Sequence, residues 1–374
     1  MTLHLTDEQF MLKQSAEAFV LSEYAFEKWR LADANAAEQR WRAYCGLGWL
    51  ALRVPGESGG LNGSMADLLV LGEALGRAML LEPFVSTAVT AVGILRNCDA
   101  PIARTLLQGI AGGERRVAVA YCEEGARYRR DAVATTGQPT DQGYVLDGEK
   151  ISVVGLGACD TLIVSAALHE KIALFAVEAA SAGVTIRKFG AVDGSVAGNM
   201  TLRGVTVGSD ALLSSDGAAA LDAGLDAAVA FSVAEAVGVA KAALSATVQH
   251  LKDRRQFGQP LARLQVLQHR AADMFAACER SNSALLWLRH ILDDVDASER
   301  ARAVSAARAV VARSVRHVTQ QAIQLHGGMG ITDELVIGHY LKKLTAIEMT
   351  DGDTPWHLDR VAAARSTNAT KTGS

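Results

Sequence analysis

From Thr6 to about Gly109, apolar residues recur every three or four positions, the spacing that lays one face of an α-helix against a core. The stretch opens on Thr6-Asp7-Glu8-Gln9, a capping signal, and continues with an apolar face through Phe10, Leu12, Ala16 and Phe19. Breaks at Val54-Pro55-Gly56, Gly59-Gly60 and Glu82-Pro83 divide it into several helices. Near Glu114 the period drops to two, as in Arg116-Val117-Ala118-Val119-Ala120-Tyr121, and short β-branched runs follow. In GYVLDGEKISVV, Asp147-Gly148 is a two-residue hairpin signal between alternating segments. Further strands are predicted at Thr161 to Ala166, Ile172 to Val177, Val184 to Phe189 and Met200 to Val207, which suggests a compact antiparallel barrel or sandwich. After Gly208 the helical period returns. An alanine-dominated stretch covers 216–252, and Val304, Val311, Val315, Val318, Ala322 and Leu325 mark the seam of a helical bundle. The pattern predicts an α+β chain with a helical domain at 1–113, a small β domain at 114–213 and a C-terminal four-helix bundle at 214–374.

A chain of 374 residues exceeds one comfortable core and can enclose a cofactor. Its 37 basic and 41 acidic residues leave a net charge of −4, which gives no electrostatic ground for a nucleic-acid or membrane partner. Cys45, Cys98, Cys122, Cys159 and Cys278 are widely spaced and include no CxxC pair, so a reducing cytoplasm fits better than a disulfide framework or structural zinc. The opening MTLHLTDEQFMLKQ has no basic region followed by an apolar stretch, and no long uncharged apolar run comes later. The expectation is a soluble, unprocessed protein. The histidines form no HxxxH or HExxH pair, so no metal site is expected.

Two segments carry candidate chemistry. In DRRQFGQPLARLQVLQHRAADM, Arg254 offers a planar fork of donors suited to a pyrophosphate, Phe257 an aromatic face, and Gly258 a backbone free to turn tightly. Gln268 can add a hydrogen bond from the next helix. In QAIQLHGGMGITDE, Gln324 precedes Gly327, Gly328 and Gly330, which permit close backbone approach just after a long helix. The alternatives are a solvated loop for the first segment and an ordinary helix cap for the second.

With the α–β–α order, these motifs resemble the acyl-CoA dehydrogenase family, and the resemblance covers nearly the whole chain. It implies a family fold that assembles as a tetramer and binds FAD, with Arg254 and Phe257 reaching across an interface to a neighbour's cofactor. Gln324 with Gly327 and Gly328 would then hold its adenosine diphosphate part. It also implies removal of two hydrogens from the α,β carbons of an acyl-CoA thioester, with an electron-transfer flavoprotein as a possible acceptor.

The chain departs from the family pattern at two places. Where the family places a glutamate before Gly-Thr, this chain reads Thr350-Asp351-Gly352-Asp353-Thr354. Counting forward from Gly330 puts Asp351 at the base position, and counting back from Arg360 puts Asp353 there. Aspartate shortens the reach by about 1.5 Å, a misplacement that can cost about a hundredfold in rate. The bland alternative is a turn at Asp351-Gly352 followed by a helix cap at Asp353 or Thr354. The base position used in another branch of the family falls near Ala228, which closes that route. In the β domain, Ser152 and Val154 stand where the family carries a tryptophan and a threonine around the flavin ring. These losses, with the ending LTAIEMTDGDTPWHLDR, resemble the small, degenerate subunit of heteromeric dehydrogenases of the pimeloyl-CoA or steroid side-chain type. Two main readings follow: an FAD-dependent acyl-CoA dehydrogenase with an aspartate base, or a non-catalytic subunit completing a partner chain's FAD site. A flavin-dependent oxygenase on the same fold is a third. The arginines at Arg127, Arg129 and Arg130 read as a solvated loop, or as a contact for an acidic partner or CoA phosphate.

Overall fold

The computed structural model describes residues 4–371. Its helices are α1 (Asp7–Glu23), α2 (Phe26–Arg30), α3 (Ala34–Gly46), α4 (Met65–Gly76), α5 (Val92–Leu95), α6 (Pro101–Ala111), α7 (Ala218–Asp253), α8 (Gln265–Ile291), α9 (Ala297–His326), α10 (Val336–Met349) and α11 (Thr354–Lys371). The strands are β1 (Val117–Ala120), β2 (Thr136–Thr140), β3 (Gly143–Val154), β4 (Thr161–Leu168), β5 (Lys171–Glu178), β6 (Val184–Gly190), β7 (Val196–Gly208) and β8 (Leu212–Ser214), followed by a small hairpin of β9 (Arg255–Gln256) and β10 (Gln259–Pro260).

The chain divides into two compact units: Met1–Leu31 with Met65–Leu80 and Val229–Ser374, and Ala32–Ser64 with Leu81–Ala228. In the first unit, α1 starts where the sequence predicts. The Thr6 side chain accepts from Gln9 N, and the Gln9 side chain accepts from Thr6 N, each at 3.2 Å. Its predicted apolar face is shifted, because Ala16 and Val20 are buried while Phe10 is 51% exposed. Helices α4 and α7 touch through backbone. A Cβ on Gly76 would sit 2.2 Å from the Glu235 carbonyl, and one on Gly238 would sit 2.1 Å from that of Glu73. Only glycine lets two helices approach this closely. Helix α9 buries Val304, Val311, Val315, Val318, Ala322 and Leu325, the seam read from its period. Lys343 of α10 reaches buried Glu235 of α7 at 3.0 Å. Helix α7 contains an apolar stretch long enough to cross a bilayer by composition, but 78% of that window is buried inside the protein, as in a core helix.

The second unit is built on one sheet in the order β6-β7-β3-β2-β4-β5-β8, with β1 beside β4. Most pairs are antiparallel, but β1 runs parallel to β4, so the sheet is mixed rather than the purely antiparallel one predicted. One side packs Leu146, Leu162, Val164, Phe175, Met200 and Leu202. Val117, Ile163 and Leu174 pack instead with Ile94, Leu106 and Leu221 from helices. The Asp147-Gly148 hairpin is corrected: β3 runs straight through it. Residues on both sides of the pair register with β7, and the irregularity falls on β7, where Arg203 and Gly204 oppose the single residue Asp147. Asp147 accepts from Gly204 N at 2.7 Å, and a Cβ on Gly148 would meet Thr135 at 2.4 Å. Pairing with β7 overrides the local turn preference.

Candidate cofactor and active site

Helix α7 stops at Asp253, and the chain folds back at once. Leu261 N donates to the Arg254 carbonyl at 2.8 Å, and Gln256 pairs with Gln259. The two residues at the tip, Phe257 (φ 54°) and Gly258 (φ 77°), are both left-handed, as a tight type I′ hairpin requires. For glycine this is free, but for an aromatic residue it costs about 1–2 kcal/mol. The fold therefore holds Phe257 in an unfavourable conformation and leaves it 87% exposed, with Arg254 and Arg255 exposed beside it. Gln268 is exposed and donates from Nε2 to the Ala262 carbonyl at 2.8 Å, and so fastens the segment after the hairpin to the start of α8.

The glycine turn begins where α9 ends. Gly327 adopts φ 63°, ψ −145°, and its N–H donates to the Gln324 carbonyl. A Cβ on Gly327 or Gly328 would meet no atom within 4 Å, whereas one on Gly330 would lie 2.7 Å from the Ile323 carbonyl. The first two glycines thus present open backbone, and the third is a packing residue. Gln324 is exposed next to them.

The aspartates lie between α10 and α11. Asp353 is the cap of α11: its Oδ1 accepts from Trp356 N at 2.9 Å, and its carbonyl accepts from His357 N at 3.0 Å. Asp351 has φ 57°, and Gly352, at φ 127°, follows it. A Cβ on Gly352 would fall 2.4 Å from the Trp356 ring. Nδ1 of buried His357 lies 3.2 Å from Ser305 Oγ on α9, which also accepts from Arg360 at 3.4 Å.

In the second unit, an open cleft of roughly 380 Å³ is lined by Glu124, Glu149, Ile151, Ser152, Phe189 and Thr201. Ser152 has φ 53° and its N–H donates to Asn199 Oδ1 at 3.0 Å, while Val154 is 41% exposed. Beneath the cleft lies a polar core. Lys150 Nζ reaches Glu123 Oε1 at 2.6 Å and Ser165 Oγ at 2.9 Å, and Glu123 also accepts from Ala134 N, Thr135 N and Thr135 Oγ. Burial pushes the Glu123 carboxyl up, but Lys150 and these donors together draw it below its ordinary value. No sequence pattern points to this network, because its members come from separate strands and loops. Arg130 likewise departs from its sequence readings as loop surface. It is largely covered and bonds Asp222 and Asp226, each at 2.9 Å, and against the opposing effect of burial Asp226 and Asp222 hold it strongly ionised. Cys278 is buried in α8, which pushes its thiol up to about 11.

Helices lie before and after a small mixed sheet, with an exposed arginine-aromatic hairpin and an open glycine turn after it. Sequence comparison assigns this arrangement to a family: the profile of the acyl-CoA dehydrogenase N-terminal domain matches residues 6–114, and that of the C-terminal domain matches residues 216–365. Acyl-CoA dehydrogenase IpdE2 of Mycolicibacterium smegmatis is 26% identical over 344 residues, covering 91% of this chain and 93% of that protein. The human mitochondrial short-chain specific acyl-CoA dehydrogenase is 26% identical over 320 residues, 82% of this chain and 77% of that one. Among solved structures, a variant of the Tcur3481-Tcur3483 steroid dehydrogenase superposes with a TM-score of 0.87 at 29% identity, covering 99% of this chain and 100% of that one. Glutaryl-coenzyme A dehydrogenase shares the fold, with a TM-score of 0.89 at 20% identity over 98% of this chain and 97% of that one. The chain belongs to the acyl-CoA dehydrogenase family. It is an FAD-dependent oxidoreductase of acyl-CoA thioesters.

Proposed function

We propose that this chain dehydrogenates an acyl-CoA with Asp351 as the base, and that it grips FAD with Arg254, Phe257, Gln324, Gly327 and Gly328. The observation that carries the assignment of the base is the placement of the two aspartates. Asp353 caps α11, and Asp351, the position reached by counting forward from the glycine turn, stands on the left-handed corner before it. An aspartate there can take a proton from the carbon next to a thioester carbonyl, the general-base step of the reaction. FAD, when bound, supplies the hydride acceptor. The open backbone at Gly327 and Gly328 and the exposed donors of Arg254 suit a pyrophosphate, and the Phe257 face suits an adenine or flavin ring. Gln268 braces the hairpin from behind.

One observation favours a second reading. Ser152 offers the β-domain cleft no aromatic shield, and Val154 offers no side-chain hydrogen bond. On that reading the chain completes the FAD site of a second acyl-CoA dehydrogenase subunit in a tetramer. The steroid dehydrogenase that this chain resembles is itself named for two chains. Five cysteines, all free, suit the reducing cytoplasm we propose as its location. The test is to purify the chain alone and co-expressed with an acyl-CoA dehydrogenase encoded beside it, record the flavin spectrum, and add acyl-CoA anaerobically. Bleaching of flavin by the chain alone supports the first reading. A colourless chain that turns yellow only with its partner supports the second. Flavin indifferent to thioesters in both preparations overturns both.

A related prediction concerns Phe257. Phe257→Gly relieves the left-handed strain, so it is expected to leave thermal stability unchanged or raised by about 1 kcal/mol while weakening FAD retention. Loss of stability without loss of FAD would contradict the hairpin's role.

A further inference from the structure

The hairpin and the glycine turn are far apart in sequence, and the fold joins them through two histidines, His326 of the glycine segment and His250, which lies outside both candidate segments. His250 lies in the last turn of α7, and its carbonyl accepts the Arg254 N–H at 2.9 Å. His326 is the last residue of α9, immediately before Gly327. Their rings stack, with centroids 4.2 Å apart and planes 29° from parallel. His326 is buried and its Nδ1 lies 2.8 Å from the Ala322 carbonyl of its own helix, which fixes its ring orientation. The stack therefore lies one helical turn behind Arg254 on one side and one residue before the open glycines on the other.

We propose that the His250–His326 stack is a positioning pair that fixes the arginine hairpin and the glycine turn relative to each other, so that both meet one dinucleotide as a single grip. This rests on the reading that these segments bind FAD. Two flexible features, a two-residue hairpin tip and a run of glycines, give affinity only if their spacing is set before the ligand arrives, since ordering them on binding costs affinity. A stacked pair of rings is stiff, having few rotatable bonds, and neutral rings stack without charge repulsion. Burial lowers both imidazoles below their ordinary value, and for His250 the neighbouring His326 and Arg254 outweigh Asp253 in the same direction, so both are neutral at pH 7.

The test uses the full chain in the assembly that retains FAD, with His250→Ala, His250→Phe and Arg254→Gln variants. Amide hydrogen exchange is followed in peptides covering 326–332, and FAD retention is followed by flavin fluorescence. His250→Ala is expected to speed exchange at 326–332 roughly two- to tenfold, the value of one aromatic pair, and to weaken FAD retention by a similar factor. His250→Phe, which keeps a ring, is expected to restore both. Arg254→Gln is expected to weaken FAD retention while leaving exchange at 326–332 unchanged. Unchanged exchange in His250→Ala overturns the positioning role. So does faster exchange with undiminished FAD retention when Arg254→Gln does weaken it, because the stack would then be structural only. If neither Arg254→Gln nor His250→Ala affects FAD, the underlying assignment of the hairpin fails, and the pairing proposal falls with it.

Discussion

Asp351→Ala is expected to slow flavin reduction by acyl-CoA by about 10²–10⁴-fold, the usual worth of a positioned general base. Asp353→Ala is expected to leave that rate within a few-fold and to cost about 1 kcal/mol of stability instead. The contrast arises from geometry two residues apart. The Asp353 carboxylate accepts the Trp356 N–H and starts α11, so its removal frays a helix end. Asp351 occupies a left-handed position that an aspartate tolerates better than most residues, and the Gly352 that follows is packed against Trp356 and His357. Asp351→Glu extends the reach by about 1.5 Å and is expected to keep much of the activity, whereas Asp351→Asn is not. Anaerobic stopped-flow measurement of flavin reduction, beside thermal denaturation of each variant, separates the two roles. Full activity in Asp351→Ala would place the base on another chain and favour the subunit reading.

Lys150→Met is expected to destabilise the protein by about 3–5 kcal/mol, because it leaves the Glu123 carboxylate buried without its counter-charge. Glu123 would keep Thr135 and the Ala134 N–H but lose the ammonium at 2.6 Å. The double variant Glu123→Leu with Lys150→Met should recover most of the loss, because it removes both charges together. Acid acts on the same group. The folded-state carboxyl of Glu123 titrates below its ordinary 4.5, so the stability it contributes is present above that value and is lost as pH falls through the lower folded value. Denaturant titrations at neutral pH measure the first effect, and the pH dependence of the wild-type midpoint below pH 5 the second. A Lys150→Met midpoint matching wild type would show that the pair does not hold the β domain together.

Much of this architecture was legible in sequence because its determinants are local. The Thr6–Gln9 capping box, the seam of α9 and the short β-branched runs of β4 to β7 each depend on residues a few positions apart. The errors arose where distant partners decide. Asp147-Gly148 carries a true turn signal, yet pairing with β7 keeps it inside one continuous strand. Arg130 looks like loop surface until Asp222 and Asp226, 92 and 96 residues away, come to meet it. Within the candidate site, residue types at Arg254, Phe257 and the glycines could be read directly. Which aspartate caps a helix depends on where α11 starts, and the His250–His326 stack joins a residue of the glycine segment to one outside both segments.

The attachment of α11 to Ser305 bears on where control of the reaction resides. Since His357 and Arg360 both bond that hydroxyl on α9, the corner bearing Asp351 is tied to the bundle's seam rather than left to a wandering loop. Substitutions along α9 that never approach a thioester would thus be transmitted to the carboxylate proposed as the base, and turnover would register the packing quality of a helix well removed from the bond being broken.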